Sequence, residues 1–460
     1  MERLGPADSS GSKAINHTEK DSLQEKEIFR SLSAPLTAQW ELTSSCNQAC
    51  IHCYNFWRQD EANHEPANHS TELLASKAAE QLIINKVFNV TLTGGEPLLV
   101  LNRYYDQLES LRDCGVGIDL NTNLALFNRE YARKLKSLGV SSILTSLMSS
   151  NSELNDQLAN KKGAFTRIVR GIELALDEGF HVGVSMVVTK SNLPDVFGTA
   201  EYVRNLGVTM FAATKASTPI NATRFYEHSL NPQEFKLMLN ELLNVERELG
   251  LQVDTLVAPP LCILDTRELA DAFGHKSCSA GKITCTIGFD GLIRPCSQNS
   301  CNYGSIMEGG LSRAWQNMQE WRTDKFIPDG CRQCPVAPAC IGGCRAEAYA
   351  INGTLDSANP FSSTTASLYT RDRKLSRRDS AETKGRFLFS PRLKFRTEEF
   401  GGILFLASSK WLPVDVDLAH FFLTNKERPF LYTDLAKNMK CSPTSALRTI
   451  ALLEQKSMIV

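Results

Sequence analysis

The chain reads as an α/β protein: a parallel sheet with helices outside it, open or barrel-like, followed by a small cysteine-rich domain and a small winged-helix-like α+β domain. Three observations predict this. Six short apolar runs alternate with amphipathic helical stretches between Thr37 and about residue 250. Regular helical periodicity then fades over 251–355, where Cys, Gly and Pro become frequent. From Pro391 onward a hairpin pattern precedes three helix candidates.

The apolar runs are AQWELT, FNVTLTGG, GVGIDLNT, SSILTSL, HVGVSMVVT and GVTMFAAT. Helical stretches such as TELLASKAAEQLI, NREYARKLKSLG, FTRIVRGIELALDEG, LPDVFGTAEYVRNLG and NPQEFKLMLNELLNVERELG lie between or after them, and several close on Gly, a usual helix stop. Strand–helix alternation of this kind predicts parallel strands with ligands at their C-terminal ends. In the last unit, FGGILFLASSKWLPVDV reads as two strands joined by a short polar turn, and DLAHFFLTN, YTDLAKNMK and SPTSALRTIALLEQKSMI as helices. The expected organisation is a disordered segment at 1–34, the alternating domain at 35–250, the cysteine-rich domain at 251–355, a Ser/Arg/Lys-rich linker at 356–390, and the final unit at 391–460.

Composition narrows the function classes. The 460 residues carry 50 Lys+Arg against 51 Asp+Glu, a net charge of −1, which excludes polyanion binding along the whole chain. Nowhere do about 18 apolar residues run together, so a membrane-spanning helix is not expected. The opening residues are polar and lack the apolar stretch of a secretory signal, so a cytoplasmic location is expected. In that compartment the fourteen cysteines are not a disulfide framework. Three fall at 46, 50 and 53 and eight between 278 and 344, while Cys114, Cys262 and Cys441 stand alone and the first two read as buried small residues. Clustered thiols argue for metal or redox chemistry.

Cys46, Cys50 and Cys53 are spaced C-x3-C-x2-C directly after the first strand. Three thiolates on one loop can ligate three corners of a [4Fe–4S] cubane and leave the fourth iron open. Zinc is the alternative, with His52 as a fourth ligand, but an odd trio is a poor structural zinc set. With LTGGEPLL at 92–99, ending the second strand, the sequence resembles the radical S-adenosylmethionine (radical SAM) superfamily over about 35–250. The resemblance implies a partial (β/α)6 TIM-like barrel. It also implies an open iron chelated by S-adenosylmethionine, with Gly94, Gly95, Glu96 and Pro97 lining its methionine amino group, and Asn123 and Ser146 as strand-end candidates for the ribose. The implied chemistry is reductive cleavage to methionine and a 5′-deoxyadenosyl radical, which abstracts hydrogen from substrate. The electron would come from a donor such as a flavodoxin or ferredoxin. Tyr54, Trp57 and Arg58 follow the cluster loop and are candidates to face substrate or to pack.

The second group reads C-x6-C-x10-C and then C-x2-C-x5-C-x3-C. Two zinc ribbons are one reading. The second run, with Gly291 separated from Cys296 by four residues, resembles the SPASM extension of radical SAM enzymes, which holds auxiliary iron–sulfur clusters. The resemblance assigns one cluster to Cys278, Cys285, Cys296 and Cys344, and a second to Cys331, Cys334 and Cys340. The expected last cysteine of the second set is missing, leaving Asp356, a Ser, Cys301 or nothing on the fourth iron.

Residues 391–460 hold ten Lys+Arg and seven Asp+Glu, about +3, weak for a DNA reader. PRLKFRTEEFGGILF resembles the opening of PqqD-like domains, which bind a leader peptide as an added strand. The expected function is therefore a radical SAM/SPASM maturase of a ribosomally made precursor peptide. The alternatives are an enzyme acting on a folded protein or small metabolite, with the last unit a docking cap, and an iron–sulfur DNA-binding sensor. Neither a membrane nor nucleic acid is an expected partner.

Overall fold

The computed structural model describes residues 27–58, 71–217, 227–362 and 385–460. Seven parallel strands run in sequence order: β1 (Thr37–Glu41), β2 (Asn89–Thr93), β3 (Gly117–Asn121), β4 (Ser142–Ser146), β5 (His181–Val188), β6 (Met210–Lys215) and β7 (Gln252–Asp254). The alternation expected from the sequence supplies six of them. Two further strands, β8 (Thr284–Ile287) and β9 (Ile293–Arg294), come from the cysteine-rich region and extend the same sheet. β8 lies parallel to β1, with Ala38 beside Cys285, and β9 returns antiparallel. The nine-stranded order β7-β6-β5-β4-β3-β2-β1-β8-β9 is open, a partial barrel.

Period-two alternation assigns the faces. Ala38, Trp40, Val90, Leu92, Ile118, Leu120 and Ile143 are buried in the helix-covered core. In register on the opposite face stand Gln39, Thr91 and Asp119, then Glu41 and Thr93. A polar inner face at the strand C-termini is what positions the site.

The covering helices are α1 (Glu72–Ile84), α2 (Tyr105–Asp113), α3 (Arg129–Ser137), α4 (Ser152–Leu158), α5 (Ala164–Asp177), α6 (Val196–Asn205) and α7 (Pro232–Leu249). Four of these helices have side-chain caps at their starts. Thr71, Asn128 and Asn151 each accept from amides of the first turn, and Asn231 with Glu234 forms a capping box. The cysteine-rich region adds α8 (Arg267–Phe273), α9 (Gly310–Asn317), α10 (Ala337–Cys340) and α11 (Arg345–Asn352).

The final unit pairs β10 (Lys394–Glu398), β11 (Gly401–Ala407) and β12 (Lys410–Val414) antiparallel with β11 in the centre, followed by α12 (Val416–Asn425), α13 (Tyr432–Asn438) and α14 (Pro443–Gln455). The continuous apolar run of β11 has a physical reason: both of its faces are covered. Leu404 packs with the unit's own helices, whereas Ile403 and Phe405 join the barrel core. Phe405 stacks on Phe88, centroids 4.6 Å apart. Lys394 Nζ donates to the carbonyls of Phe88 (3.0 Å) and Gly115 (2.8 Å), and Arg396 to those of Ala34 (2.7 Å) and Pro35 (2.9 Å). Those residues precede β2, β3 and β1, so this unit caps the N-terminal end of the barrel.

Two expected boundaries shift. Residues 27–34 do not belong to a disordered lead-in: Leu32 and Ala34 are buried, and Trp315 Nε1 donates to the Leu32 carbonyl (2.7 Å). The last unit starts before 391, because Phe387 and Phe389 bridge to Phe430 and Ile459. The rest of the expected lead-in, 1–26, and 363–384 of the expected linker lie outside the described residues. Among the described residues no helix is long and apolar enough to cross a membrane.

Phe405→Ala removes a buried aromatic from the junction and should cost about 3–5 kcal/mol. Urea denaturation checks this. Iron uptake by the Cys46, Cys50 and Cys53 loop, at the far end of the strands, should not change.

Candidate active site

The chain leaves β1 at Glu41 and forms the thiol loop over 42–58. Thr43 and Ser45 hold it to the turn after β2: the Gly95 amide donates to Thr43 O and the Glu96 amide to Ser45 O, both at 2.7 Å. Asn55 Nδ2 donates to Gly94 O (3.2 Å). The loop's far side rests on the end of α4, through Ala49 N–H to Ala159 O and Ile51 N–H to Leu158 O. These bonds explain the two glycines. A Cβ on Gly95 would lie 1.9 Å from Ser45 O; one on Gly94, whose φ is +131°, would lie 2.5 Å from Thr43 O. The glycines admit the thiol loop's own backbone.

Glu96 is held in the same turn. Its carboxylate turns inward and is 1% exposed. Oε1 accepts from Thr122 Oγ1 (2.6 Å) and Leu98 N–H (3.0 Å), and Oε2 from Asn123 N–H (2.9 Å). Burial raises its pKa, and these donors oppose the rise. Glu96 therefore ties the end of β3 to the turn after β2. Pro97, buried, begins the short helical turn that Glu96 caps. Asn123 is delivered to the thiol loop: its Nδ2 donates to Asn47 Oδ1 (2.7 Å) and lies 3.9 Å from Cys46 Sγ. Ser146 ends β4 beside Ser185 of β5, three strands from β1 in the sheet order.

The three thiols of the loop share one environment. Burial pushes Cys50 up to about 12, and the neighbouring Cys53 and Cys46 add to the rise. Arg58 answers them. Its Nη2 donates to Gln48 O (2.6 Å), and although burial opposes its charge, Cys53, Cys46 and Cys50 more than restore it. Arg58 is thus the cation of the thiol loop. His52 is buried and neutral, its pKa lowered by burial to about 4. Buried polar atoms without a hydrogen-bond partner concentrate on this loop: Ser45 Oγ, Gln48 Nε2, His52 Nδ1 and Trp57 Nε1. Such a density of unpaired groups fits a loop built around a bound group. Among the described residues no three His, Cys, Asp or Glu side chains converge tightly enough to hold a single ion.

Trp57 packs on Phe289, and the Arg294 guanidinium lies over Phe56 (4.9 Å) and Trp57 (5.2 Å). Arg294 also pairs with buried Glu41 at the end of β1. Tyr54 hydrogen bonds to Ser297 and feels the charges of both Cys53 and Cys296. The first thiol group is thereby joined to the second through one aromatic residue.

The cysteine-rich region gathers two further groups. Cys296 and Cys344 each feel Cys278, and Cys344 Sγ lies 4.0 Å from Gln298 Oε1. Separately, Cys331 feels Cys340, Cys262 and Cys334. Between the groups sit two buried cations. Lys282 is near Cys278 and Cys340; Arg345 is near Cys344, Cys278, Cys340 and Cys331. Burial lowers the pKa of both, and the thiols oppose it. Arg345 also binds the carbonyls of Gly343, Leu355 and Ser357, which fixes the loop carrying Cys340 and Cys344.

Cys285 departs from its expected place in the first of these sets. It lies on β8, fully buried on the core face with Ala38, and burial alone pushes it up to about 12. Nothing in local spacing reveals this, because the face it takes is decided by pairing with β1.

Gly95→Ala should abolish iron uptake by the Cys46, Cys50 and Cys53 loop, read by iron analysis of a variant that keeps only those three of the clustered cysteines. Gly385→Ala, where a Cβ meets nothing within 4 Å, should leave it intact. Glu96→Gln puts an amide N–H against buried donors and should cost about 1–3 kcal/mol in thermal denaturation.

Residues 40–203 match the radical SAM superfamily. The chain is 26% identical over 352 residues to an AdoMet-dependent heme synthase of Methanosarcina barkeri, covering 72% of this chain and 96% of that one. It is 27% identical over 355 residues to a mycofactocin maturase of Mycolicibacterium smegmatis, covering 73% and 84%. Its fold is similar to that of Streptococcus suis SuiB bound to precursor peptide SuiA, with a TM-score of 0.58 at 17% identity, covering 73% of this chain and 76% of that one. The thiol trio and the Gly-Gly-Glu turn both fall inside the span that matches that family, and the cofactors that fit it are a [4Fe–4S] cluster and S-adenosylmethionine.

Proposed function

We propose that this protein is a radical SAM maturase that modifies a ribosomally made precursor peptide. The observation that carries the reading is the joining of a radical SAM domain and a cysteine-rich region to a separate three-stranded unit with a free strand edge. β12 has no partner on its far side among the described residues. Edges of this kind accept an added strand. Likeness to a mycofactocin maturase supports the same reading.

Cys46, Cys50 and Cys53 would hold the cluster, and Arg58 offsets their charge. With the cluster and S-adenosylmethionine bound, reductive cleavage supplies the radical that abstracts hydrogen from substrate. Gly94 and Gly95 let the thiol loop lie against the turn after β2. Glu96 fixes Asn123 beside that loop. Cys278, Cys296 and Cys344 would hold one auxiliary cluster, with Cys285 of the expected set standing apart. Cys331, Cys334 and Cys340 would hold a second. Tyr54 joins the first thiol loop to Cys296 and suits electron passage between the sites. A flavodoxin- or ferredoxin-like donor and a cytoplasmic location complete the proposal.

A second reading has its own support. Likeness to a heme synthase favours a tetrapyrrole substrate, with the last unit a structural cap. The two readings part in one experiment. Anaerobic reduced protein is incubated with S-adenosylmethionine and either the short peptide encoded beside its gene or an iron-containing coproporphyrin, and mass spectrometry reads the products. The peptide should change mass and the porphyrin should not. An excess of the isolated leader segment should slow peptide modification about tenfold and leave uncoupled S-adenosylmethionine cleavage unchanged. Replacing Cys46, Cys50 and Cys53 by Ala should abolish cleavage altogether.

A further inference from the structure

The second auxiliary set lacks its last cysteine in sequence, and neither Cys301 nor Asp356 is placed to supply it. Cys301 is turned toward Glu320 and has no thiol acting on it. Asp356 is exposed, on a turn whose neighbouring carbonyls at Leu355 and Ser357 are taken by Arg345.

The segment that enters the cysteine-rich region does reach the set. Pro260 packs against Gly343, where an added Cβ would fall 2.9 Å from the proline ring. The Leu261 amide donates directly to Cys340 Sγ at 3.3 Å. Chain geometry then puts the Cys262 Cα within about 9 Å of that sulfur whatever its orientation. Leu261 and Ile263 are buried on either side, and half-buried Cys262 lies between them in a short helical turn. Both Cys331 and Cys340 feel its charge. Cys340 is already arranged as a ligand, with amides of Leu261, Gly342 and Gly343 directed at its sulfur. Hydrogen bonds of that kind stabilise cluster-bound thiolates.

We propose that Cys262 is the fourth thiolate of the cluster held by Cys331, Cys334 and Cys340, supplied from upstream of the cysteine-rich region instead of downstream. Loading the site releases the thiol protons and gives four iron–thiolate bonds, so this cluster is closed to substrate and serves electron passage. The inference rests on the reading that the region holds auxiliary clusters.

Two measurements on the full chain test it. In the first, the unmodified protein is alkylated with iodoacetamide before and after anaerobic reconstitution, and each cysteine is mapped by mass spectrometry. Cys262 should be protected on loading, as Cys331 is, while Cys114 and Cys301 label equally in both states. The second uses a parent in which Cys46, Cys50 and Cys53 are replaced by Ala. On mild ferricyanide oxidation, Cys262→Ala and Cys262→Ser should each lose one iron per chain more than the parent, whereas Cys301→Ala and Asp356→Ala should lose no more. Equal labelling of Cys262 in both states, or no additional iron loss in either Cys262 variant, overturns the assignment. If replacing Cys331, Cys334 and Cys340 also leaves the iron content unchanged, the second cluster itself is absent and both readings fall.

Discussion

Two amide hydrogen bonds, from Gly95 to Thr43 and from Glu96 to Ser45, hold the site in register. They join the C-terminal ends of adjacent parallel strands, where two backbones can meet only if side chains are missing. The rest follows from that contact. With the turn after β2 drawn against the thiol loop, the Glu96 carboxylate has nowhere to go but inward, and its donors on Thr122 and Asn123 bring β3 into the same assembly. Asn123 then stands beside Cys46. Three strand ends are thus locked together by backbone and buried polar bonds before any cofactor arrives, which is the preorganisation that a reactive site requires.

Charge is the second constraint. A thiol must lose its proton to bind iron, yet burial in this protein pushes the thiols the other way, Cys50 and Cys344 each to about 12. Each group is accompanied by a buried or half-buried cation. Arg58 lies with the first, and Lys282 and Arg345 lie between the other two. These cations favour thiolates, and ligation supplies the remaining compensation. Iron loading is consequently a proton-releasing reaction, favoured as pH rises.

Local sequence disclosed much of this. The six strand–helix alternations, the thiol trio, the Gly-Gly-Glu turn and the β11–β12 hairpin are written in nearest-neighbour patterns, and the structure places them where those patterns put them. Features set by distant pairing were not legible. β8 joins β1 across a gap of 247 residues, between Gln39 and Thr286, and that pairing turns Cys285 into the core. Cys262 looked like an isolated small residue because its neighbours, Cys331 and Cys340, lie some seventy residues on. The inward turn of Glu96 escaped for a similar reason, since its partners come from the next strand. Spacing within a motif reports which residues can meet, and only the sheet decides which way each faces.

The position of the last unit constrains the chemistry proposed for it. Arg396 and Lys394 fix it to the start of the strands, while the thiol loop lies at their end. A strand of five residues spans about 17 Å. An extended peptide advances at most about 3.3–3.6 Å per residue, so a substrate held on β12 needs at least five or six residues to cover the strand length alone. Its path must also pass around the sheet, because the space between the two ends is filled by Phe88, Phe405 and their neighbours. A peptide recognised on β12 would therefore have its recognition segment well separated from its modified residue. In the proposed reading, recognition and radical chemistry therefore occupy opposite ends of the strands.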